Sequence, residues 1–417
     1  TWESLDKREI PKWFGSGKVG IFIHWGVFSV PAFKSEWFWY NWQQGGAKHH
    51  QQEYIDFVDR TEKKGFAYSE YASRFDATFY EPDYWAEIFA QSGAQYVVLT
   101  SKHHEGFCNW DSREIGTTYM WNSMEKGPKR DLVGELAKAI RNPKVKSIQT
   151  NNQLKFGVYH SLLEWYNPLL KHDINNNLTN SNCKHGSFLN CHDRYLPNRT
   201  NEHKWENAMT LDKNSWGWNR KAKISDYLTT KELIDEMVTT VARNGNILIN
   251  VGPAADGTIS PIFVDRLLGL GDWLKVNGQA IYNTQSWKIC DQDLNDHTVY
   301  YTRDDTLLYA HLTQWPLDNQ LHLHCPEASN NTRAFILGVQ HADESDSDGI
   351  ISVIGTDHSH KDKDPTIPPV RILSSHSRQR KEEGVGGVTI QLPYMNPSQL
   401  PCQHVWVVAM TAIDNLD

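Results

Sequence analysis

The sequence has no excess of positive charge, no long apolar run and no closely paired cysteines. Its 42 lysines and arginines stand against 50 aspartates and glutamates, a net charge of -8. No long basic run interrupts that average, so a nucleic-acid-binding surface is not expected. No apolar stretch approaches the length that crosses a bilayer, and no membrane insertion is expected. The six cysteines include no Cys-x-x-Cys pair, which argues against a structural zinc site. No metal or other cofactor is expected. An initiating methionine and a signal peptide are also missing, and the opening Thr1-Trp2-Glu3 is read as a processed or trimmed start.

Aromatic residues are plentiful, with 17 Trp and 17 Tyr among the 417 residues. Many flank polar residues, and an apolar face beside hydrogen-bonding groups suits the holding of a sugar ring. Asn177, Asn198 and Asn330 each open an Asn-x-Thr triplet. Together with the cysteines they favour the secretory pathway, hence a lysosomal or secreted protein. Cys183 and Cys191 bracket a short polar loop and are expected to pair, whereas Cys108, Cys290, Cys325 and Cys402 show no pairing in the sequence.

The chain is organised around Lys18-Val19-Gly20-Ile21-Phe22-Ile23-His24-Trp25-Gly26. Its apolar run reads as a strand buried on both faces, stopped at Gly26, with His24 at its carboxyl end. In parallel α/β architectures that end is where ligands bind. The same plan recurs. A helix opened by Glu81-Pro82-Asp83 leads to a strand over Gln95–Ser101, which ends in Lys102-His103-His104-Glu105. A helix from Asp131 to Arg141 leads to a strand over Leu154–Ser161. The repeat of strand, polar end and helix predicts a βα barrel. It fails between Lys171 and His185, which carry neither period. It resumes with a strand over Lys204–Thr210, a helix opened by the capping box Thr229-Thr230-Lys231-Glu232, a strand over Asn246–Val251, a helix from Ser260-Pro261 to Gly278, and a sixth strand at Ala280-Ile281-Tyr282. Beyond Trp287 short alternating segments predict a small antiparallel β domain. Within it Ala342 to Gly387 reads as solvated loops around one or two short strands. The expected domains are therefore 1–287, an α/β barrel, and 288–417, a β-sandwich.

Several motifs share one reading. Trp2-Glu3-Ser4-Leu5, the segment Gly20 to Gly26, Thr100-Ser101-Lys102-His103-His104-Glu105-Gly106-Phe107, Tyr159-His160-Ser161 with Glu164-Trp165-Tyr166-Asn167-Pro168, and Asn250-Val251-Gly252-Pro253 closely resemble the animal, lysosomal-type α-L-fucosidases of glycoside hydrolase family 29. The resemblance covers nearly the whole chain. It implies a (β/α)8 TIM barrel with a C-terminal antiparallel β-sandwich, a retaining exo-hydrolase acting on fucosylated glycans, and a homo-oligomer. It places His24, Glu36, Trp37, His103, His104 and Tyr159 against the sugar. Neutral imidazoles donate and accept to hydroxyls, and Trp37 offers an apolar face to ring carbons and the methyl group. For the acid/base role it offers Asp193 and Glu206. Asp193 is preferred, because Glu206 sits in a strand where a structural hydrogen bond competes for it.

The nucleophile is the departure. In the family it is an aspartate in a Trp-Ser-Asp-Gly segment on the fourth barrel strand, and an Asn-Asp-Arg-Trp motif ends the next strand. Neither occurs here. Two missing βα units of about 30 residues each would account for both losses and for the short strand count. Without that carboxylate no covalent intermediate forms, so this chain is expected to be impaired. An inactive, lectin-like fucose binder is the alternative. A metal-dependent hydrolase is disfavoured, since adjacent His103 and His104 would point to opposite faces of a strand.

Overall fold

The computed structural model describes residues 1–43, 51–113, 121–165, 186–339, 370–375 and 387–416. They form two compact units. One holds residues 1–196, 203–233 and 246–272; the other holds 197–202, 234–245 and 273–417.

The first unit is built on a parallel sheet of β1 (Val19–Ile23), β2 (Tyr96–Lys102), β3 (Lys155–His160), β4 (Trp205–Thr210) and β5 (Gly245–Val251), in the order β3-β2-β1-β5-β4. β1 pairs in parallel with both β2 and β5, Gly20 facing Tyr96 on one side and Leu248 on the other. All five residues of β1 are buried, as its unbroken apolar run requires. Gly20 is needed there: a β-carbon would lie 2.3 Å from the Tyr96 ring. The inward faces of β1, β2 and β5 supply Phe22, Tyr96 and Leu248 to a common cluster with Phe14.

The helices preceding the sheet are α1 (Trp2–Asp6) and α2 (Lys12–Gly17); α3 (Phe38–Gln43), α4 (Gln51–Thr61) and α5 (Pro82–Gln91) lie between β1 and β2. α6 (Leu132–Ile140) precedes β3, α7 (Thr230–Ala242) precedes β5, and α8 (Pro261–Asn277) follows it. Their starts follow local chemistry. Pro82 occupies the first turn of α5. The Asp131 carboxylate accepts from the Gly134 N–H at 2.9 Å. At α7 the Glu232 N–H donates to Thr229 Oγ1 at 3.1 Å, while Glu232 Oε2 accepts from the Thr229 N–H at 2.7 Å, a complete capping box.

Two expectations are corrected. Ala280-Ile281-Tyr282 is not a strand. Gly278–Ala280 is a 3-10 turn, and the Ile281 and Tyr282 N–H groups both return to the Gly278 carbonyl, at 3.0 and 2.8 Å. Ile281 is fully buried, and a buried apolar turn carries the same composition as a short buried strand. The barrel strands therefore number five rather than six among the described residues. Among the described residues β3 and β4 are the outer strands of this barrel sheet. On the β4 side, Leu189 makes an isolated parallel bridge to Trp205. On the other, β3 leaves Lys155, Val158 and His160 exposed.

The second unit contains a five-stranded antiparallel sheet, β10-β13-β8-β7-β6, and a three-stranded one, β11-β12-β9. The strands are β6 (Gln285–Ser286), β7 (Val299–Arg303), β8 (Leu307–Leu312), β9 (Gln320–Leu323), β10 (Ala328–Ile336), β11 (Arg371–Ser375), β12 (Val388–Gln391) and β13 (Trp406–Ile413). Trp287, Tyr301, Leu308 and Val408 share one core with Leu321, Leu323 and Ile390, so the two sheets form a β-sandwich. Cys290 and Cys325, which the sequence left unpaired, form a disulfide. Cys108 and Cys402 are free thiols. Cys191 is disulfide-bonded, while its expected partner Cys183 lies outside the described residues, as does Asn177. Of the Ala342 to Gly387 interval the described part is β11 and Val370, Arg371 through Ser375, and Gly387.

Candidate active site

Side-chain alternation along β1 sends Val19, Ile21, Ile23 and Trp25 one way and Gly20, Phe22 and His24 the other. Trp25 accordingly packs on Phe75, Tyr80 and Trp85, and its indole N–H donates to the Ala254 carbonyl at 2.7 Å. His24 instead meets the rings of Phe22, His103, Tyr159 and Trp216, with centroids 4.4, 5.6, 6.0 and 5.1 Å away. Its Nδ1 lies 2.7 Å from Asn250 Oδ1 on β5. The Asn250 amide donates in turn to Thr210 Oγ1 at 2.9 Å and to the Trp216 carbonyl at 2.7 Å.

His103 and His104 do not point to opposite faces. β2 ends at Lys102 and the chain turns, so strand alternation no longer applies, and the two rings stand 4.1 Å apart. His103 Nδ1 is held by Glu105 Oε2 at 3.2 Å and His104 Nδ1 by Ser161 Oγ at 2.7 Å. Trp37, from the loop after β1, meets His104 at 5.0 Å and Trp165 at 5.1 Å. Tyr159, near the end of β3, lies 6.3 Å from His103 and 6.4 Å from His104. Three imidazoles, three indoles and a phenol thus converge at the carboxyl ends of three neighbouring strands.

Electrostatics keep this cluster uncharged. Burial, then the charge of His103, hold His24 well below the usual histidine range. Burial alone takes His103 down to about 3, and burial with His103 and Lys102 takes His104 to about 2. Neutral imidazoles present one donor and one acceptor each, which is what vicinal sugar hydroxyls require. Burial pushes Glu105 up to about 8. Lys102, equally buried, pairs with Glu164 at 2.5 Å.

Glu36, also buried, sits beside Trp216. Its Oε2 accepts from the N–H groups of Trp216 and Gly217 at 3.0 and 3.4 Å, and burial raises its pKa in spite of them. It therefore fixes the turn that carries Trp216 against His24. That turn is tight, for a β-carbon on Gly252 would lie 2.7 Å from the backbone of Gly217 and Trp218.

The two acid/base candidates fall in different places. Asp193 follows the disulfide-bonded Cys191, and the neighbouring Arg194 N–H donates to the Ala208 carbonyl of β4 at 2.8 Å. Burial and then the Asp193 carboxylate raise the Tyr159 phenol to about 12, so Asp193 stands within electrostatic reach of the histidine cluster. Partial desolvation raises Asp193 itself. Glu206 is the second residue of β4 and accepts from the Tyr96 hydroxyl at 2.7 Å, at the start of β2. Tyr96 faces Gly20 in register, four residues before His24 and about 13 Å along the strand. Glu206 belongs to a buried group at the amino end of the sheet with Lys18 and Lys204, where burial pushes it up to about 7.

Sequence reasoning gave no role to Asn250, Trp165, Glu105 or Trp216. Asn250 carried a signal, a polar side chain on the inward face one residue before the end of an apolar strand. Trp216 carried none, since its place depends on the Glu36 contact. Among the described residues no group of three metal-ligating side chains occurs.

The family model described as Alpha-L-fucosidase matches residues 1–181 and 174–279, and that described as Alpha-L-fucosidase C-terminal domain matches residues 291–411. The chain is 37% identical to an alpha-L-fucosidase of Branchiostoma floridae over 479 residues, covering 99% of this chain and 95% of that one. With the plasma alpha-L-fucosidase of Homo sapiens it shares 38% over 480 residues, covering 99% and 92%. Among solved structures it resembles Thermotoga maritima alpha-fucosidase in complex with fucose, with a TM-score of 0.73, 25% identity and 99% of each chain covered.

Proposed function

Since the chain belongs to the α-L-fucosidase family of glycoside hydrolases, we propose that its histidine pocket takes a terminal α-L-fucose and that this 417-residue form holds the sugar without turning it over. The observation that carries the first half is the convergence of His24, His103 and His104, all neutral, with Trp37 and Tyr159. The imidazoles grip hydroxyls, and the indole covers the apolar edge of the ring.

Retaining hydrolysis needs a proton donor and a nucleophilic carboxylate about 5 Å apart across the scissile bond. Asp193 takes the donor role. Supporting this, desolvation shifts its carboxyl upward and its charge is felt at the Tyr159 phenol. Glu206, committed to Tyr96 at the far end of the strands, supports structure instead. Among the described residues the remaining carboxylates near the pocket are engaged: Glu36 by backbone N–H groups, Glu105 by His103 and Glu164 by Lys102. None of these is offered to the anomeric carbon.

The missing nucleophile is read as part of a missing segment. Supporting this, the two matches of the family model meet at residues 174–181. The aligned span of 479 residues also exceeds the 417 of this chain. A lysosomal or secreted location accords with the Cys290–Cys325 disulfide and with exposed Asn198 and Asn330. Fucosylated glycans are the partners, and a homo-oligomer is part of the same reading.

The test is a purified chain of verified mass, titrated with L-fucose by calorimetry and assayed for release of a chromophore from an aryl α-L-fucoside. Saturable fucose binding that His24→Ala abolishes, without release, is the expected result. Release accompanied by a trapped glycosyl adduct on a fluorinated fucoside would overturn the impaired reading. Failure to bind fucose would overturn the pocket.

A further inference from the structure

A second cavity opens in the same unit, away from the histidine cluster. It has a volume of about 350 Å³ and is lined by Ser29, Asp76, Trp218, Arg220, Ala254 and Asp256, among others. These come from the loops after β1, β4 and β5 and from the approach to α5, so the cavity shares the carboxyl-end rim of the sheet with the fucose pocket. The turn Trp216-Gly217-Trp218 stands between them. Trp216 rests on His24 at 5.1 Å on one side, while Trp218 lines the second cavity on the other.

The lining is prepared for a ligand. Arg220 is fixed by its Nη2, which donates to the Val30 carbonyl at 2.6 Å, and by its N–H, which donates to the Ala32 carbonyl at 2.9 Å. Asp76 and Asp256 each engage Oδ1 with a backbone N–H two residues on, at 3.1 and 2.9 Å. Among the described residues neither Oδ2 has a hydrogen bond. Ser29 lines the cavity with little of its own surface exposed, and its hydroxyl is itself buried, with no partner among the described residues. Such an orphan in a folded protein calls for an explanation. Half-buried Trp218, edge-on to Phe263 at 6.4 Å, supplies an apolar surface.

Charge narrows the ligand class. Two carboxylates repel an anion, and the guanidinium on the same lining repels a metal cation. A neutral molecule with adjacent hydroxyls satisfies both: it donates to Asp76 and Asp256, accepts from Arg220, and lays ring carbons on Trp218. We propose that this cavity is a second carbohydrate site, taking a neutral pyranose of the glycan rather than the fucose itself. Only the choice of ligand rests on the fucosidase reading; the site's geometry is independent of it.

The test uses the full chain, with fucose-free N-acetyllactosamine and L-fucose titrated separately by saturation-transfer NMR and calorimetry. Both sugars bind saturably. Trp218→Ala and Asp256→Asn each weaken N-acetyllactosamine by about tenfold or more, the scale of one lost stacking or charge-assisted contact, and Asp256→Asn leaves fucose affinity unchanged. His24→Ala does the reverse. Asp256→Asn is isosteric, so it remains decisive if Trp218→Ala does not fold. No saturable binding of the disaccharide overturns the proposal, as does binding that Asp256→Asn leaves intact, or displacement of the disaccharide by calcium or inorganic phosphate. Loss of fucose binding alone, with the disaccharide still bound through Asp256, overturns the reading of the first pocket and sustains this one.

Discussion

Glu206 carries a proton that an exposed glutamate would lack near neutrality. Burial beside the Tyr96 hydroxyl lifts its pKa to about 7, whereas in the unfolded chain it titrates near 4.5. The stability it contributes is therefore complete below pH 4.5 and is lost as pH rises through 7. Lys204, lowered by burial to about 6, acts in the opposite sense and costs stability as pH falls from 10.5 towards 6. Comparing the parent with Glu206→Gln separates the two. The melting temperature of the variant should fall less between pH 5 and pH 8, and an unchanged slope would place the titration elsewhere. At this scale the sequence was legible where a side chain's role follows from its strand position. His24 stands one residue past an apolar run, and Glu206 one residue into another; that difference put them at opposite ends of the sheet. What could not be read was how His103 and His104 both reach the pocket, because a chain turn after Lys102 cancels the alternation assumed for them.

Among the elements, β3 is the exception to the burial that β1, β4 and β5 share. Lys155 and His160 are exposed, and Val158 retains 51% of its surface. A strand with an edge unpaired among the described residues and an exposed β-branched side chain is a template for edge pairing between copies. Val158→Lys should lower concentration-dependent light scattering without moving the melting temperature. Scattering that persists would assign association to another surface. The helices and buried strands were legible because caps and periodicity are local: Asp131, Thr229 and Glu232 fix their helix starts through neighbours three residues away. The turn at Ile281 was misread because burial of a short apolar run says nothing of its hydrogen-bond pattern.

For the whole molecule the decisive quantity is strand number. Among the described residues five parallel strands stand in the order β3-β2-β1-β5-β4, where a (β/α)8 barrel has eight. Inserting two βα units, about 60 residues, between Trp165 and Gly186 should join β3 to β4 and restore release of fucose from an aryl fucoside. An insertion that folds but leaves the chain inactive would show that the carboxylate was lost for another reason. The expected omission rests on the broken repeat between Lys171 and His185, because eight-fold periodicity makes a missing unit countable.

The bond between His24 and Asn250 spans 226 residues. A ribosome adding about 5–20 residues per second therefore releases the first half of the pocket on the order of ten seconds or more before the second half exists. During that interval β1 has β2 beside it but not β5, and its inward histidine has no amide to hold it. Sugar affinity is thus acquired late and in one step, when β5 docks, so a nascent chain halted before residue 250 would carry the pocket's histidines and none of its grip.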